Sequence, residues 1–320
     1  GSEVVLEIVR PGISDPLKFN LVRQEIVIKD VSYAGFVKPG VAFIRISSFS
    51  DKAARETRDA IRDLQEEGEI NSVILDLRGN PVGRLYSIMG VDNICIPKGE
   101  LIVETRGNHE REAQFKTPQS ALLPDAQLVV LVDHGSASAA EIVAGAVQDL
   151  DRGVIIGSKT FGKGLVQQVY PVDKMNDAFI KITTAKYYIP SGRCIQKDDY
   201  KKNKDVFTNH NDSLEYDDHI NYFTRNGRVV HGGGGITPDV DVDQERMNPY
   251  LIELWSKGYL FNFTVDYVST HSELYGNGPI AVTDQIVDEF RQYLKDKEID
   301  YDMRGEEALE DFLAVASEED

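Results

Sequence analysis

Ser138 and Lys163 are the two residues whose types and spacing could do chemistry together. Ser138 precedes an Ala-rich stretch that runs to Gln148, and Lys163 stands between Gly162 and Gly164 after the apolar run Val154-Ile155-Ile156-Gly157. A helix over residues 139 to 149 climbs about 16 Å, and an extended return over 154 to 159 covers about 20 Å. A strand running back along such a helix delivers Lys163 to the helix N-terminus, beside Ser138. A serine there lies at the positive end of the macrodipole, and the Ala139 N–H has no intrahelical acceptor and is free to hold an oxyanion. A lysine held between glycines in an apolar run can shed its proton by desolvation, which disfavours the charged form. That is a nucleophile and a base for acyl transfer. The same local text also suits close helix–sheet packing followed by a solvated glycine loop, and local composition leaves both readings open.

The runs around these two residues and three further blocks, five in order along the chain, favour the catalytic one. The runs Leu75-Asp76-Leu77-Arg78-Gly79-Asn80-Pro81-Val82-Gly83, Gly135-Ser136-Ala137-Ser138-Ala139-Ala140-Glu141, Thr160-Phe161-Gly162-Lys163-Gly164-Leu165-Val166-Gln167, Tyr187-Tyr188-Ile189-Pro190-Ser191-Gly192-Arg193 and Gly232-Gly233-Gly234-Gly235-Ile236-Thr237-Pro238-Asp239 together resemble the C-terminal processing (tail-specific) serine peptidases of family S41. The resemblance implies a Ser-Lys dyad with Ser138 as nucleophile, Lys163 as general base and Gln167 assisting the lysine. Four residues of strand separate Gln167 from Lys163, which would place both on one face. The resemblance also assigns the oxyanion hole to the N–H groups of Gly83 and Ala139, and implies no metal or organic cofactor. The sequence departs from the family at Val82, where a second glycine is usual. A β-branched residue disfavours positive φ, so the loop at Gly83 is expected to sit differently.

Other chemistries fit less well. His134 lies four residues before Ser138, too close along the chain to reach round to its hydroxyl, and reads as a loop residue at the cleft rim. His210-Asn211-Asp212 and Asp217-Asp218-His219 can be drawn as a metal cluster, but no His-x-x-x-His spacing exists and a polar surface loop explains them. Gly232 to Gly235 lacks a following Lys-Ser/Thr, so it reads as a turn that lets two segments cross closely, not as a phosphate loop. A non-catalytic scaffold binding peptides or hydrophobic ligands is the main alternative, with Val82 as its argument. It leaves the set of Ser138, Lys163 and Gln167 without a purpose. A crotonase-type acyl-CoA enzyme lacks an evident basic pocket for nucleotide phosphates.

The elements that must position these residues follow the same order. The 320 residues are 41% hydrophobic and 28% charged, enough for a substantial core and two or more units. A formal net charge of -18 excludes nucleic acid and anionic membrane surfaces as preferred partners and leaves protein or peptide substrates. No apolar run reaches the length of a membrane span. Gly1-Ser2 reads as a cloning remnant, and the resemblance implies an extracytoplasmic setting, bacterial periplasm or cell envelope. Strands are predicted at Val4 to Val9, Leu17 to Val22, residues 40 to 46, Ser72 to Leu77 and Leu128 to Asp133, with an amphipathic helix over Asp51 to Glu67. Leu165 to Pro171 and Ala178 to Tyr188 read as a β-hairpin arm on which an extended peptide could add by main-chain pairing.

The expected fold class is α/β. The family's core is a crotonase-like or ClpP-like ββα spiral, here carrying the hairpin arm. Residues 1–30 would be the C-terminal remnant of a PDZ domain, 31–245 the peptidase core with an exposed insertion at 197–230, and 246–320 a C-terminal helical region. That region, with helices at Asp284 to Lys297 and Glu306 to Ser317, would pack on the core, cap a neighbouring surface or mediate homodimerisation.

Overall fold

The structure is a computed structural model describing residues 1–10, 13–81, 83–107, 112–173, 178–197, 220–242, 248–271 and 280–299. The chain divides into two compact units, Val27–Gln244 and the pair Gly1–Ile26 with Glu245–Asp320.

In the second of these, β1 (Glu3–Ile8) and β2 (Leu17–Val22) form an antiparallel hairpin. Its helices are α4 (Pro249–Ser256), α5 (Tyr259–Thr270) and α6 (Asp284–Leu294). Sequence sets their starts: Pro249 fills the first helical position of α4 behind an Asn248 side chain that accepts from the Leu251 N–H, and Thr283 caps α6 in the same way. Phe263 of α5 packs at a tilt against Phe290 and Tyr293 of α6, with ring centroids 5.0 and 5.6 Å apart. The helix expected at Glu306 to Ser317 lies outside the described residues.

The larger unit is built on a six-stranded sheet in the order β14-β9-β8-β5-β4-β3. Its strands are β3 (Val31–Lys38), β4 (Val41–Ile46), β5 (Ser72–Asp76), β8 (Gln127–Val132), β9 (Val154–Gly157) and β14 (Val240–Asp241). All neighbours run parallel except β3 and β4. Parallel strands covered by helices read as continuous apolar runs, which is why Ser72 to Asp76 and Gln127 to Val132 were legible. Helix α1 (Ala53–Glu67) buries Ala53, Thr57, Ile61 and Leu64, the i, i+4, i+8, i+11 face of an otherwise charged sequence. A four-stranded antiparallel sheet has the order β10-β11-β6-β7, from β10 (Leu165–Asp173), β11 (Ala178–Tyr188), β6 (Leu101–Arg106) and β7 (Ala113–Lys116).

Helix α3 (Ala139–Asp149) is buried along its whole length. Its small residues are the reason it fits. A Cβ on Gly145 would stand 2.7 Å from Ile189 Cδ1 and 3.0 Å from Ile236 Cδ1. The unit β8-α3-β9 is therefore a parallel crossover: the helix runs back, and β9 returns to the end of the sheet where β8 finishes.

Residues 197–230, expected as an exposed insertion, are described only in part. Residues 198–219, with the histidine and aspartate clusters, lie outside the described residues, but 220–231 are an ordered hairpin of β12 (Asn221–Phe223) and β13 (Val229–His231). Val230 and Thr224 are buried, the Arg225 N–H donates to the Asp149 carbonyl, and Arg228 pairs with Asp151 and Asp239. Most of this hairpin is exposed, and its arginines are paired while remaining half in solvent.

The core also holds an acid. Asp92 closes α2 (Leu85–Asp92) against a cavity of about 10 Å³ lined by Ile44, Val73, Leu128, Val143 and Val147, and among the described residues neither of its oxygens has a hydrogen-bond partner. Burial pushes its carboxyl well above the usual range. The folded chain thus keeps a proton that the unfolded chain releases above about pH 3.9, and stability falls as pH rises from there through the raised value. Asp92→Asn is neutral throughout. Its melting temperature should gain on that of the parent by at least about 3 °C between about pH 5 and pH 8; a pH-independent difference in thermal melts would refute this.

Candidate active site

Ser138 lies at the N-cap of α3 with φ 55° and ψ −105°. This is a conformation that costs an L-residue about 1–3 kcal/mol and survives only where the surroundings impose it. The imposing contacts are identifiable. Ser136 Oγ donates to the Leu77 carbonyl at 2.9 Å, Ala137 N–H donates to the Asn80 carbonyl at 2.9 Å, and Phe161 N–H donates to the Ser136 carbonyl at 3.1 Å. Asp133 Oδ1 accepts from the N–H groups of Gly79, Gly135 and Ser136. The serine turn is thus tied to the loop after β5 and to the loop after β9. His134 is exposed, its Nδ1 3.4 Å from Ser158 Oγ.

Glu141 joins the two halves of the site. Its Oε2 accepts from the Ser138 N–H at 2.9 Å and from the Lys163 N–H at 2.8 Å, and its Oε1 accepts from Thr160 Oγ1 at 2.6 Å and the Gly162 N–H at 2.7 Å. Burial raises its carboxyl above the ordinary glutamate value, against the pull of these hydrogen bonds. One carboxylate oxygen therefore holds the backbones of residues 138 and 163 together, and the helix-and-return length argument ends where it pointed. Sequence reading singled out Glu141 only as part of a motif. Its position three residues after a helix-capping serine was the available signal for a capping-box acid.

The Lys163 loop is clamped from the other side. Lys197 N–H donates to the Gly162 carbonyl, Ile236 N–H donates to Thr160 Oγ1, and Thr160 N–H donates to the Ile236 carbonyl. At Gly235, φ is +83°, and a Cβ would stand 2.7 Å from Thr160 Oγ1 and 3.0 Å from Glu141 Oε1. The glycine run is a close crossing, as its sequence indicated. Behind it, Arg193 is buried and bonds Asp149, Gln148 and the His231 carbonyl, fixing the far end of α3.

Gly83 and Ala139 are adjacent. A Cβ on Gly83 would stand 2.5 Å from the Ala139 Cβ and 2.3 Å from the Phe49 Cβ, so only glycine fits. Arg84, not Gly83, donates to the Phe49 carbonyl, and neither the Gly83 nor the Ala139 N–H has an acceptor among the described residues. Val82 lies outside the described residues. Asp76, buried at the end of β5, takes both arms of the Arg78 guanidinium and is held below the ordinary carboxylate range. Burial opposes that shift, and the Arg78 hydrogen bonds and charge outweigh it.

Ser138 and Lys163 are both half-buried, and among the described residues no hydrogen bond joins their side chains. Gln167 is exposed. The shared-face argument for it does not carry over. Lys163 precedes β10, which begins at Leu165, so the strand alternation that would have paired them does not reach the lysine.

Among the described residues no helix is long and apolar enough to cross a membrane. Residues 40–206 match the family model described as peptidase family S41, and residues 250–320 match the C-terminal helical domain of a probable PDZ-protease. The chain is 38% identical over 200 residues to a carboxy-terminal-processing protease of Bartonella bacilliformis, covering 61% of this chain and 45% of that one. It is 35% identical over 202 residues to the carboxy-terminal processing protease CtpB of Bacillus subtilis, covering 62% of this chain and 41% of that one. The matched segment thus spans less than half the length of these relatives. A solved structure described as a candidate S41 protease from Bacteroides fragilis superposes with a TM-score of 0.51 at 18% identity, over 84% of this chain and 65% of that one, a likeness of fold.

Proposed function

Because the chain belongs to peptidase family S41, we propose that it is a serine endopeptidase working through a Ser138–Lys163 dyad, processing or degrading proteins from or near their C-termini. The observation that carries this is the Glu141 carboxylate oxygen shared by the Ser138 and Lys163 N–H groups. Lys163 in its neutral form takes the hydroxyl proton as Ser138 attacks a peptide carbonyl, and the N–H groups of Gly83 and Ala139 hold the oxyanion. An acyl-enzyme forms, the lysine returns the proton to the leaving amine, and water completes hydrolysis. Gln167 orients the lysine amine when substrate is bound. Catalytic hydrogen bonds commonly tighten only in the substrate complex, which accommodates the unjoined side chains of Ser138 and Lys163.

The family resemblance extends the reading to a crotonase-like or ClpP-like spiral core, a PDZ remnant in residues 1–30, an extracytoplasmic setting and homodimerisation through the C-terminal region. The test is digestion of β-casein by this chain, with Ser138→Ala as the blank, from about pH 6 to about pH 10. Fragments from the parent alone, increasing with pH, are expected. Intact casein with both proteins would favour a peptide-binding scaffold.

A further inference from the structure

Beyond the site, β10 and β11 continue as an arm. Every position from Gln167 to Val172 and from Ala178 to Thr183 is exposed. The register sets Gln168 opposite Ile182 and Tyr170 opposite Ile180, so these four share one face, along which the Tyr170 hydroxyl donates to Gln168 Oε1. Val169 and Phe179, each 61% exposed, lie on the other face. Lys181 is the one charged residue among these positions, so in a chain of net charge -18 the arm repels polypeptides of neither sign.

β10 is also the terminal strand of its sheet, and among the described residues its outer edge has no partner. An exposed apolar edge is a template for a further strand, and proteins usually blunt it. Here the blunting residue is Pro171, which removes one N–H at the far end and leaves Leu165 to Tyr170 able to pair.

We infer that the outer edge of β10, from Leu165 to Tyr170, receives an unfolded polypeptide substrate as an added strand, with the arm's apolar faces holding its apolar side chains at alternate positions. This rests on the peptidase reading of Ser138 and Lys163. The position of the edge argues for a substrate and against a second copy of the chain. β10 begins two residues beyond Lys163, so a strand laid on it runs directly into the site. Six residues at about 3.3 Å each give a contact about 20 Å long. Main-chain pairing is indifferent to side-chain identity, so the arm selects for extended, apolar-rich chains and not for one sequence.

The test uses Ser138→Ala, which binds without cutting, and fluorescein-labelled, reduced and carboxymethylated α-lactalbumin as the unfolded chain. Fluorescence anisotropy should show binding at least about tenfold weaker when Ile180→Asp and Ile182→Asp are added. Hydrogen exchange read by mass spectrometry on the unsubstituted arm should show the amides of residues 165–170 slowed by the unfolded chain. Unchanged exchange, or unchanged affinity in a variant of normal melting temperature, overturns the proposal. Slowing that needs no unfolded chain and grows with protein concentration assigns the edge to a second copy and also overturns it. Neither readout uses hydrolysis. Arm binding by a parent that leaves casein intact would instead count against the peptidase reading.

Discussion

Lys163→Ala is expected to lower kcat/KM for casein-derived peptides by at least about a thousandfold while leaving the melting temperature within about 2 °C of the parent. The first part follows from the role. A positioned base contributes about 10²–10⁴, and removing one member of a nucleophile–base pair costs nearly as much as removing both. The second part follows from the structure. The backbone N–H of residue 163 is held by Glu141, a contact that does not involve the amine that alanine lacks. Single-turnover assays with calorimetry on the same preparation check both. Near-normal turnover would remove the lysine from the mechanism, and a large fall in melting temperature would make it a structural residue instead.

Glu141→Gln should damage the site almost as severely by a different route. Each carboxylate oxygen faces two donors: Thr160 Oγ1 and the Gly162 N–H on one side, the Ser138 and Lys163 N–H groups on the other. An amide has a single acceptor oxygen, so whichever way Gln is turned its NH₂ meets at least one obligate N–H donor, Gly162 on one side or Ser138 and Lys163 on the other. Leaving buried donors unsatisfied costs about 1–3 kcal/mol each, and a destabilisation of about 3 kcal/mol is expected in urea unfolding. A shift of about 1 Å between nucleophile and base costs about a hundredfold in rate. A positioning role predicts that kcat falls and KM barely moves, since Glu141 is buried and touches no substrate. Loss of stability with kcat intact would show that the carboxylate only supports the fold.

Much of the scaffold was readable because local rules govern it. The apolar runs of β5 and β8, the stripe on α1 and the Ala-rich text of α3 are periodic or compositional signals. The helices and strands they announce fall within one or two residues of the expected bounds. The arm was equally plain, with β11 at the expected Ala178–Tyr188. Where reading failed, the missing information was tertiary. The hairpin of residues 220–231 was not legible as such, because its buried Thr224 and Val230 and the ion pairs of Arg225 and Arg228 are made with segments far away in sequence. The alternation expected from Lys163 to Gln167 fails because the strand starts only at Leu165, after the glycine loop has turned.

The sequence by itself determined which elements form, and where the chemistry-bearing types lie on them: a serine at a helix start, a lysine between glycines, a glycine in the loop after β5. Those choices rest on backbone sterics, periodicity and capping, which act over a few residues. Only the tertiary structure decided that Glu141 holds residues 138 and 163 on one oxygen, that Gly83 lies against Ala139, and that Ser138 is driven to φ 55°. Such strain and such shared hydrogen bonds exist only where segments distant in sequence are packed so closely that no other arrangement satisfies the buried donors.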